Sequence, residues 1–312
     1  MLSEHIVISG HELDRVDMKG EWIFNCDYVF KNTVDRPISL KMGFPFPIRN
    51  EESENTAPAG YTLKKGSSLV HDFKVWVNGQ LVTAIKSNVS PNLQKKLDYK
   101  EAYIWPMTFG PLATINVQHN YVTGITFNVV GHTSVSYVLK TGALWKGSKI
   151  GYAILEVKPN TPTRLCSEIE KDQSYLKPTP AGVSIVGEKN QRRYIWKLQN
   201  FTPTEDLNVC LMTGRNYIRY NVVLPIIQDF NNKKIDVSKL DSKQLWILRN
   251  TIFAQYGRHF KNSTLQEYFS KQWWYQPTTA YSDDLLTPED KKALALITQA
   301  QARHHGTILN IK

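Results

Sequence analysis

The chain has 312 residues, of which 41% are hydrophobic and 21% charged, and this balance excludes wholesale disorder. The longest apolar runs, such as VVLPII (222–227), are far shorter than the roughly 20 residues that a membrane-spanning helix needs. The formal net charge of +10 suits polyanions in general: nucleic acid, anionic lipid or the acidic polymers of a bacterial envelope.

The first two thirds of the chain predict antiparallel β-structure. In EWIFNCDYVFK (21–31), apolar and polar side chains alternate, which is the pattern of a half-buried strand. A second alternating run, ISLKMGF (38–44), follows a turn-like segment, so the two runs predict a hairpin.

A stronger hairpin signal follows at Asn78-Gly79, between two alternating runs within 73–85, because both central residues of such a turn need positive φ. Many short strands at this spacing predict an antiparallel β-sandwich over 1–215. The remaining predicted strands lie over 114–122, 126–130, 135–139, 153–157 and 206–212, with a hairpin over 183–198 and loops over 49–60 and 172–181.

The three cysteines, Cys26, Cys166 and Cys210, allow at most one disulfide, and their spacing matches no zinc motif. Cys26 lies in phase with the apolar residues of its run, which predicts a small buried hydrophobic residue. We expect a structural role for all three, and neither a metal site nor a cofactor.

After a connecting segment (216–239), the hydrophobic period becomes that of a helix, which predicts a small α-helical domain over 240–306. Asp241 or Ser242 can cap its first helix, with Gln244 completing a capping box if Asp241 is the cap. Gly257 lies where a left-handed C-terminal residue belongs.

Two further helix starts are predicted. Ser263 and Gln266 have the spacing of a capping box for a second short helix. Thr287-Pro288 supplies a cap and a first-turn proline for a third helix that runs toward Gly306.

The segment LRNTIFAQYGRHFKNSTLQEYFSKQWWYQP (248–277) resembles the YARHG domain, a small bacterial module, over about 240–300. The positions that match the family pattern are Leu248, Arg249, Asn250, Ile252, Ala254, Gly257, Phe260, Lys261, Leu265, Tyr268, Phe269, Trp274, Tyr275 and Pro277. This many matches at the right spacing is specific to the family.

In this chain, the segment that corresponds to the family's eponymous motif differs from the family pattern. Phe253, Gln255 and Tyr256 stand where the family has Tyr, Arg and His. Chemistry carried by that Arg and His would therefore be absent, unless Arg258 and His259, which follow directly, substitute for them.

The β-rich part, over about 1–215, resembles the uncharacterised bacterial domain that often precedes YARHG. The resemblance is carried by Phe44-Pro45-Phe46-Pro47, His119-Asn120-Tyr121, YVLKTGALWKGSKIG (137–151) and NFTPTEDLNVCL (200–211). Chains of that family begin with an export signal, whereas MLSEHIVISGHEL has no signal-peptide pattern. The resemblance implies an extracytoplasmic protein, of which the sequence from Met1 is a truncated or signal-less form, and neither family carries an established activity.

Trp273, Trp274 and Tyr275 are the first candidates for a binding site. Three consecutive aromatic residues on a short turn cannot all face one small core, so at least one is expected to be partly exposed. An exposed ring can stack on a sugar or a base. The competing interpretation is core packing, above all for Trp274.

The predicted end of the first helix supplies the other candidates, Arg249, Tyr256, Arg258 and His259. In one interpretation these side chains contact a ligand. In the other, Gly257 and its neighbours terminate the helix, and a cation near the last turn is favoured by the helix dipole.

No nucleophile elbow, P-loop or H-E-x-x-H motif occurs, so the sequence contains no complete catalytic constellation. His119 lies in phase with apolar neighbours and is predicted to be a hydrogen-bonded core histidine. The adjacent His304 and His305 point in different directions on a helix and have no third ligand nearby, which argues against a metal site.

The leading hypothesis is a non-catalytic extracytoplasmic protein that binds a cell-envelope polymer or an envelope protein. The alternative is a hydrolase of envelope glycan or peptide, with an acid–base site between the two domains. Nucleic-acid binding rests on charge alone and is not expected.

Overall fold

The computed structural model describes residues 1–11, 13, 20–46, 55–64, 66–97, 99–145 and 147–309, without the side chains of 96, 97 and 304–309. The strands are β1 (Ser3–His11), β2 (Glu21–Lys31), β3 (Ile38–Phe46), β4 (Val70–Val77), β5 (Gln80–Val82), β6 (Ile85–Asn88), β7 (Glu101–Phe109), β8 (Thr114–Gly124), β9 (Thr126–Phe127), β10 (Thr133–Tyr137), β11 (Ile150–Lys158), β12 (Thr163–Leu165), β13 (Ser184–Val186), β14 (Arg193–Phe201) and β15 (Leu207–Thr213). The α-helices are α1 (Pro91–Leu97), α2 (Cys166–Ile169), α3 (Gly214–Ile218), α4 (Leu224–Ile227), α5 (Ser242–Ala254), α6 (Ser263–Ser270) and α7 (Pro288–Leu309).

The strands form three sheets around one hydrophobic core. The largest has the order β13-β14-β11-β1-β2-β8-β4-β5, and it packs against a four-stranded sheet, β12-β15-β10-β9, and a three-stranded sheet, β3-β7-β6. The predicted β-sandwich followed by a helical part is confirmed. One pairing differs from the antiparallel prediction, since β1 and β11 run parallel. Strands separated by more than a hundred residues have no short turn that would impose an antiparallel pairing.

The predicted hairpin between 21–31 and 38–44 is wrong. β2 pairs with β1 and β8, whereas β3 pairs with β7 in the three-stranded sheet. The intervening segment carries the chain from one layer to the other. The Asn32 side-chain amide fixes this crossing by donating to the backbone oxygens of Arg36 and Gly110, each at 2.8 Å.

Three strands that line the core were not predicted, β1, β7 and the short β12. Proline inside a strand weakens a sequence-based assignment because it cannot donate to the ladder. In β7, Pro106 lies beyond the stretch that pairs with β6. The ladder between these two strands therefore needs no N–H from Pro106.

The predicted hairpin at Asn78-Gly79 is confirmed: β4 and β5 pair across it, and the two turn residues have φ of +50° and +80°. The second predicted hairpin is formed by β13 and β14. The predicted loop over 172–181 contains one 3-10 turn, Ser174–Leu176, while that over 49–60 lies partly outside the described residues.

A second hydrophobic core belongs to the helical part. It contains Ile218, Val223 and Ile226 from α3, α4 and the π-helical turn between them, Arg219–Val223, together with the apolar faces of α5, α6 and α7. None of the described helices is long and apolar enough to cross a membrane.

The helix ends follow the sequence with one exception. Asp241 caps α5 in a capping box with Gln244, and Gly257 has φ of +79°. The predicted Ser263–Gln266 box is wrong, because the Asn262 side chain caps α6 by accepting from the Leu265 amide. The Gln266 side chain instead accepts from the Phe260 amide at 3.0 Å.

Cys166 and Cys210 form a disulfide that joins the start of α2 to β15. Cys26 is free and buried, as expected, and burial raises the pKa of its thiol. The structural role predicted for the cysteines is thus carried by one covalent link and one packed thiol.

Candidate functional site

The consecutive aromatic residues do not form an exposed platform. Trp274 and Tyr275 are buried, and only Trp273 is partly exposed. The Tyr275 hydroxyl donates to the backbone oxygen of Arg258 at 2.8 Å, and Trp274 packs so closely on Gly214 that a Cβ there would lie 2.8 Å from the Trp274 carbonyl. The segment therefore connects α5, α6 and the start of α3.

Trp273 lies where the helical part meets the β-sandwich. Its ring contacts Tyr217 on α3, with ring centroids 5.3 Å apart, and the Arg164 guanidinium of β12 lies 5.3 Å from the Trp273 ring. Lys189, also from the β-sandwich, donates to the Ser270 carbonyl at 3.0 Å and lies 5.9 Å from the Tyr275 ring.

Arg258 is a third cation that aromatic rings hold in place, and its two ring partners lie within the helical part. Its guanidinium lies 4.9 Å from the Phe253 ring and 5.7 Å from the Tyr281 ring. Within the described part of the chain, neither Arg258 nor Arg164 nor Lys189 forms a salt bridge with a carboxylate. We name Arg164, Lys189, Arg258 and Trp273 the junction surface.

Tyr256 has a structural partner. Its hydroxyl donates to Asp290 at 2.6 Å, and the neighbouring Gln255 amide donates to the other carboxylate oxygen at 3.0 Å. Asp290 also accepts from the Thr287 amide at 2.9 Å at the N-terminus of α7. Burial and the hydrogen bond to Asp290 raise the pKa of Tyr256. The residues that replace the family's Arg and His thus bind α5 to α7.

The remaining candidates are more accessible. Arg249 on α5 and His259 after Gly257 are exposed, and Arg258 is half-buried. A side chain at Gly257 would require its neighbours to shift, since a Cβ there would lie 2.6 Å from the Gln276 carbonyl. The side chains of His304 and His305 lie outside the described residues.

A polar cleft of about 660 Å³ lies between the β-sandwich and residues 220–233. In it, Nε2 of the buried His132 lies 2.9 Å from a carboxylate oxygen of Glu170, and Nδ1 lies 3.3 Å from the Asn128 amide. His132 also lies near Cys166 and Cys210, but those two sulfurs are joined to each other. No sequence motif indicated this pair, because its members are 38 residues apart and lie on separate elements.

His119 corrects a further expectation. It is a core residue, as predicted, but neither ring nitrogen has a hydrogen-bond partner among the described residues. Its ring is surrounded by those of Tyr28, Phe44, Phe73 and Trp105, at centroid distances of 4.9 to 5.4 Å. Burial lowers the pKa of His119 to about 3, so its imidazole is neutral at physiological pH.

Comparison with known proteins defines the chain's relatives. The YARHG domain model matches residues 220–302, and the model described as Domain of unknown function (DUF4424) matches residues 1–92. A crystal structure of a "putative nutrient binding protein" from Legionella pneumophila is 50% identical, covers 96% of this chain and 93% of that one, and superposes with a TM-score of 0.88. This chain belongs to the same DUF4424–YARHG family. A search of the curated proteins found no match.

In this DUF4424–YARHG protein, Arg258 and Trp273 lie in the YARHG domain, whereas Arg164 and Lys189 lie outside both matched ranges. Other solved structures are far less similar. An M1 zinc metallopeptidase from Deinococcus radiodurans has 8% identity and a TM-score of 0.29, covering 68% of this chain and 41% of its own. A "putative protease" from Parabacteroides distasonis has 11% identity and a TM-score of 0.29, covering 96% and 58%. Similarities this low carry no argument about function.

Proposed function

We propose that the protein is a non-catalytic extracytoplasmic binding protein whose junction surface binds an acidic polymer of the cell envelope, such as peptidoglycan. The observation that carries the proposal is the set of three cations held against aromatic rings, none of which forms a salt bridge with a carboxylate among the described residues. Carboxylates would have neutralised Arg164, Lys189 and Arg258, whereas aromatic rings position their charge and leave it available to an anion.

Three further features support this proposal. The Cys166–Cys210 disulfide suits an oxidising compartment outside the cytoplasm. The similar Legionella protein is itself named as a binding protein. The net charge of +10 favours acidic polymers along the whole surface. In this proposal the chain divides into a sandwich over 1–215, a connecting segment over 216–239 and a YARHG-like domain over 240–306. Arg249, Tyr256 and His259 flank the binding surface. Trp274 and Tyr275 support it from the core.

The test is co-sedimentation of the purified protein with isolated peptidoglycan sacculi across a salt series. The variant Arg164→Gln/Lys189→Gln/Arg258→Gln removes the junction charges and is expected to weaken binding at least tenfold. The control Lys243→Gln/Lys291→Gln/Lys292→Gln removes the same charge from exposed positions on α5 and α7 and is expected to change binding less than twofold.

Trp273→Ala tests the aromatic support of Arg164, and we expect an intermediate loss of binding. Equal losses in the two triple variants would reduce the interaction to generic charge. Unchanged binding in the junction variant would exclude this surface as the site.

A hydrolase remains the second candidate, because His132 and Glu170 form a close acid–base pair in the cleft between the two parts. The geometry favours it less, since both ring nitrogens of His132 already have partners and the ring is buried. Release of soluble fragments from the same sacculi tests it. A wild type that releases fragments, with His132→Gln and Glu170→Gln at least a hundredfold slower, would establish the hydrolase; we expect no release.

A further inference from the structure

The β-sandwich contains a cavity of about 450 Å³ between the largest sheet and the three-stranded sheet. β1, β2 and β8 contribute one wall, β3 and β7 the other, and residues 88–93 and 141–145 close one end. Protein interiors are packed closely enough that an apolar space of this size is unusual in a core. Its volume lies within the roughly 300–1,000 Å³ of known small-molecule sites.

On both walls of this sandwich cavity, three side chains carry polar atoms that have no hydrogen-bond partner among the described residues. Within the described residues, both ring nitrogens of His119, Nε1 of Trp105 and Oε1 of Glu4 make no hydrogen bond. All three side chains line the cavity and are 5% exposed or less. Buried polar atoms are nearly always hydrogen-bonded, so orphan atoms on three side chains around one cavity indicate a missing partner.

These three side chains carry little charge at neutral pH. The buried His119 is neutral and offers one N–H donor and one acceptor nitrogen. Burial raises the pKa of Glu4 to about 8, against the opposing effect of the Met1 amino group, so its carboxyl is mostly protonated and can donate. Trp105 can only donate. A ligand that placed a carboxylate or an ammonium here would bury that charge at a large cost in solvation.

The outer end of the cavity is accessible and apolar. Leu93 and Leu144 are 38% and 46% exposed at its rim, and Lys41 is exposed beside them. An apolar molecule can therefore enter along apolar side chains. The remaining lining is dominated by aromatic and aliphatic residues such as Tyr28 and Phe44.

We propose that the sandwich cavity binds an uncharged small molecule with an apolar body and one hydroxyl, carbonyl or amide group, which hydrogen-bonds to His119, Trp105 and Glu4. This site is separate from the junction surface, and it gives the β-sandwich a binding role that the helical part does not share. Loss of envelope binding would leave it unaffected.

The experiment uses the full chain at pH 7 and the neutral fluorescent probe N-phenyl-1-naphthylamine. Octan-1-ol, octanoate and octylammonium compete for the probe; they share one chain length and differ only in the polar end. We expect octan-1-ol to displace the probe at a concentration at least tenfold lower than either ion. Equal displacement by an ion would overturn the neutral-ligand assignment, and absence of probe binding would show that water alone fills the cavity.

Two variants place the binding in the cavity. Ala102→Phe fills the space from β7 and is expected to abolish probe binding, while Ile185→Phe adds the same ring at an exposed position on β13 and should change nothing. His119→Phe keeps a ring but removes both nitrogens, so octan-1-ol should bind about tenfold more weakly while the probe still binds. If Ala102→Phe fails to fold, judged by circular dichroism, His119→Phe decides: an unchanged octan-1-ol affinity would contradict the proposal.

Discussion

The two parts of the molecule treat buried polar side chains in opposite ways. In the helical part, the buried Asp290 accepts hydrogen bonds from Tyr256, Gln255 and Thr287, so its network is complete without any ligand. In the β-sandwich, the buried Glu4 and His119 have polar atoms beside a cavity that find no partner in the described part of the chain. A complete network stabilises a scaffold, whereas an incomplete one costs stability that a ligand can restore. The contrast identifies which buried polar groups are structural and which are candidates for binding.

The largest effect we expect concerns the covalent link of the β-sandwich. The double variant Cys166→Ala/Cys210→Ala should lower the free energy of unfolding by about 4 kcal/mol, because the disulfide closes a loop of 44 residues and restricts the unfolded chain. Guanidinium unfolding followed by circular dichroism measures this. Cys26→Ala is the control: it removes a buried thiol that links nothing, and it should cost only about 1 kcal/mol. A double variant no less stable than this control would contradict the expectation.

The next effect concerns the complete polar network of the helical part. Asp290→Ala leaves the Tyr256 hydroxyl, the Gln255 amide and the Thr287 amide without their acceptor, and we expect a loss of about 3 kcal/mol in urea unfolding. Glu289→Ala removes the adjacent carboxylate, whose ion pair with Arg219, at 3.5 Å, is partly exposed. That control should cost less than about 1 kcal/mol. Similar losses in both variants would show that the network is not what stabilises α7.

Local chemistry made much of this fold predictable. Asn78-Gly79 indicated a hairpin, and Asp241, Gly257 and Thr287 marked helix ends, because each signal acts within a few residues of itself. The failed Ser263 cap was displaced by one position, to Asn262, whose side chain also accepts well from a helix amide. Errors of one residue are expected where neighbouring residues can both cap.

Pairing between strands that are far apart in the sequence was harder to predict. The parallel pairing of β1 with β11 and the separation of β2 from β3 depend on contacts far apart in the chain. The same is true of the candidate sites. The aromatic residue Trp273 could be identified from the sequence, but its partner Arg164 is more than a hundred positions earlier on a different element. Alternation placed His119 in the core, yet only the three-dimensional neighbours show that both its nitrogens lack partners.

A smaller effect is expected for the incomplete polar network of the β-sandwich. His119→Phe should raise the free energy of unfolding by about 1–3 kcal/mol at pH 7, since it removes orphan polar atoms and keeps the ring among its aromatic neighbours. Acid should widen the difference. The folded-state pKa of His119, about 3, lies below the ordinary 6.5, so wild-type stability falls as pH drops from about 6.5 to 3, by up to about 1.4 kcal/mol per pH unit.

Urea unfolding at pH 7 and pH 4.5 measures the difference in unfolding free energy between His119→Phe and wild type, and its increase at the lower pH. His259→Phe, at an exposed position, is the matched control and should show neither. A difference between wild type and His119→Phe that stays constant with pH would mean that the imidazole is not held in its neutral form. That result would also remove the argument that the sandwich cavity prefers an uncharged ligand.

The smallest effect compares two glycines with nearly the same φ, one in each part. Gly79 and Gly257 have φ of +80° and +79°, so alanine at either position costs about 1–2 kcal/mol for the left-handed conformation alone. Around Gly79 a Cβ would meet open space, whereas at Gly257 it would lie 2.6 Å from the Gln276 carbonyl. Gly257→Ala should therefore be less stable than Gly79→Ala by about 1 kcal/mol or more in thermal unfolding. Equal losses would mean that the segment after α6 can move away from α5 at little cost. In that case this segment would not hold Trp273 and Arg258 rigidly in the proposed binding surface.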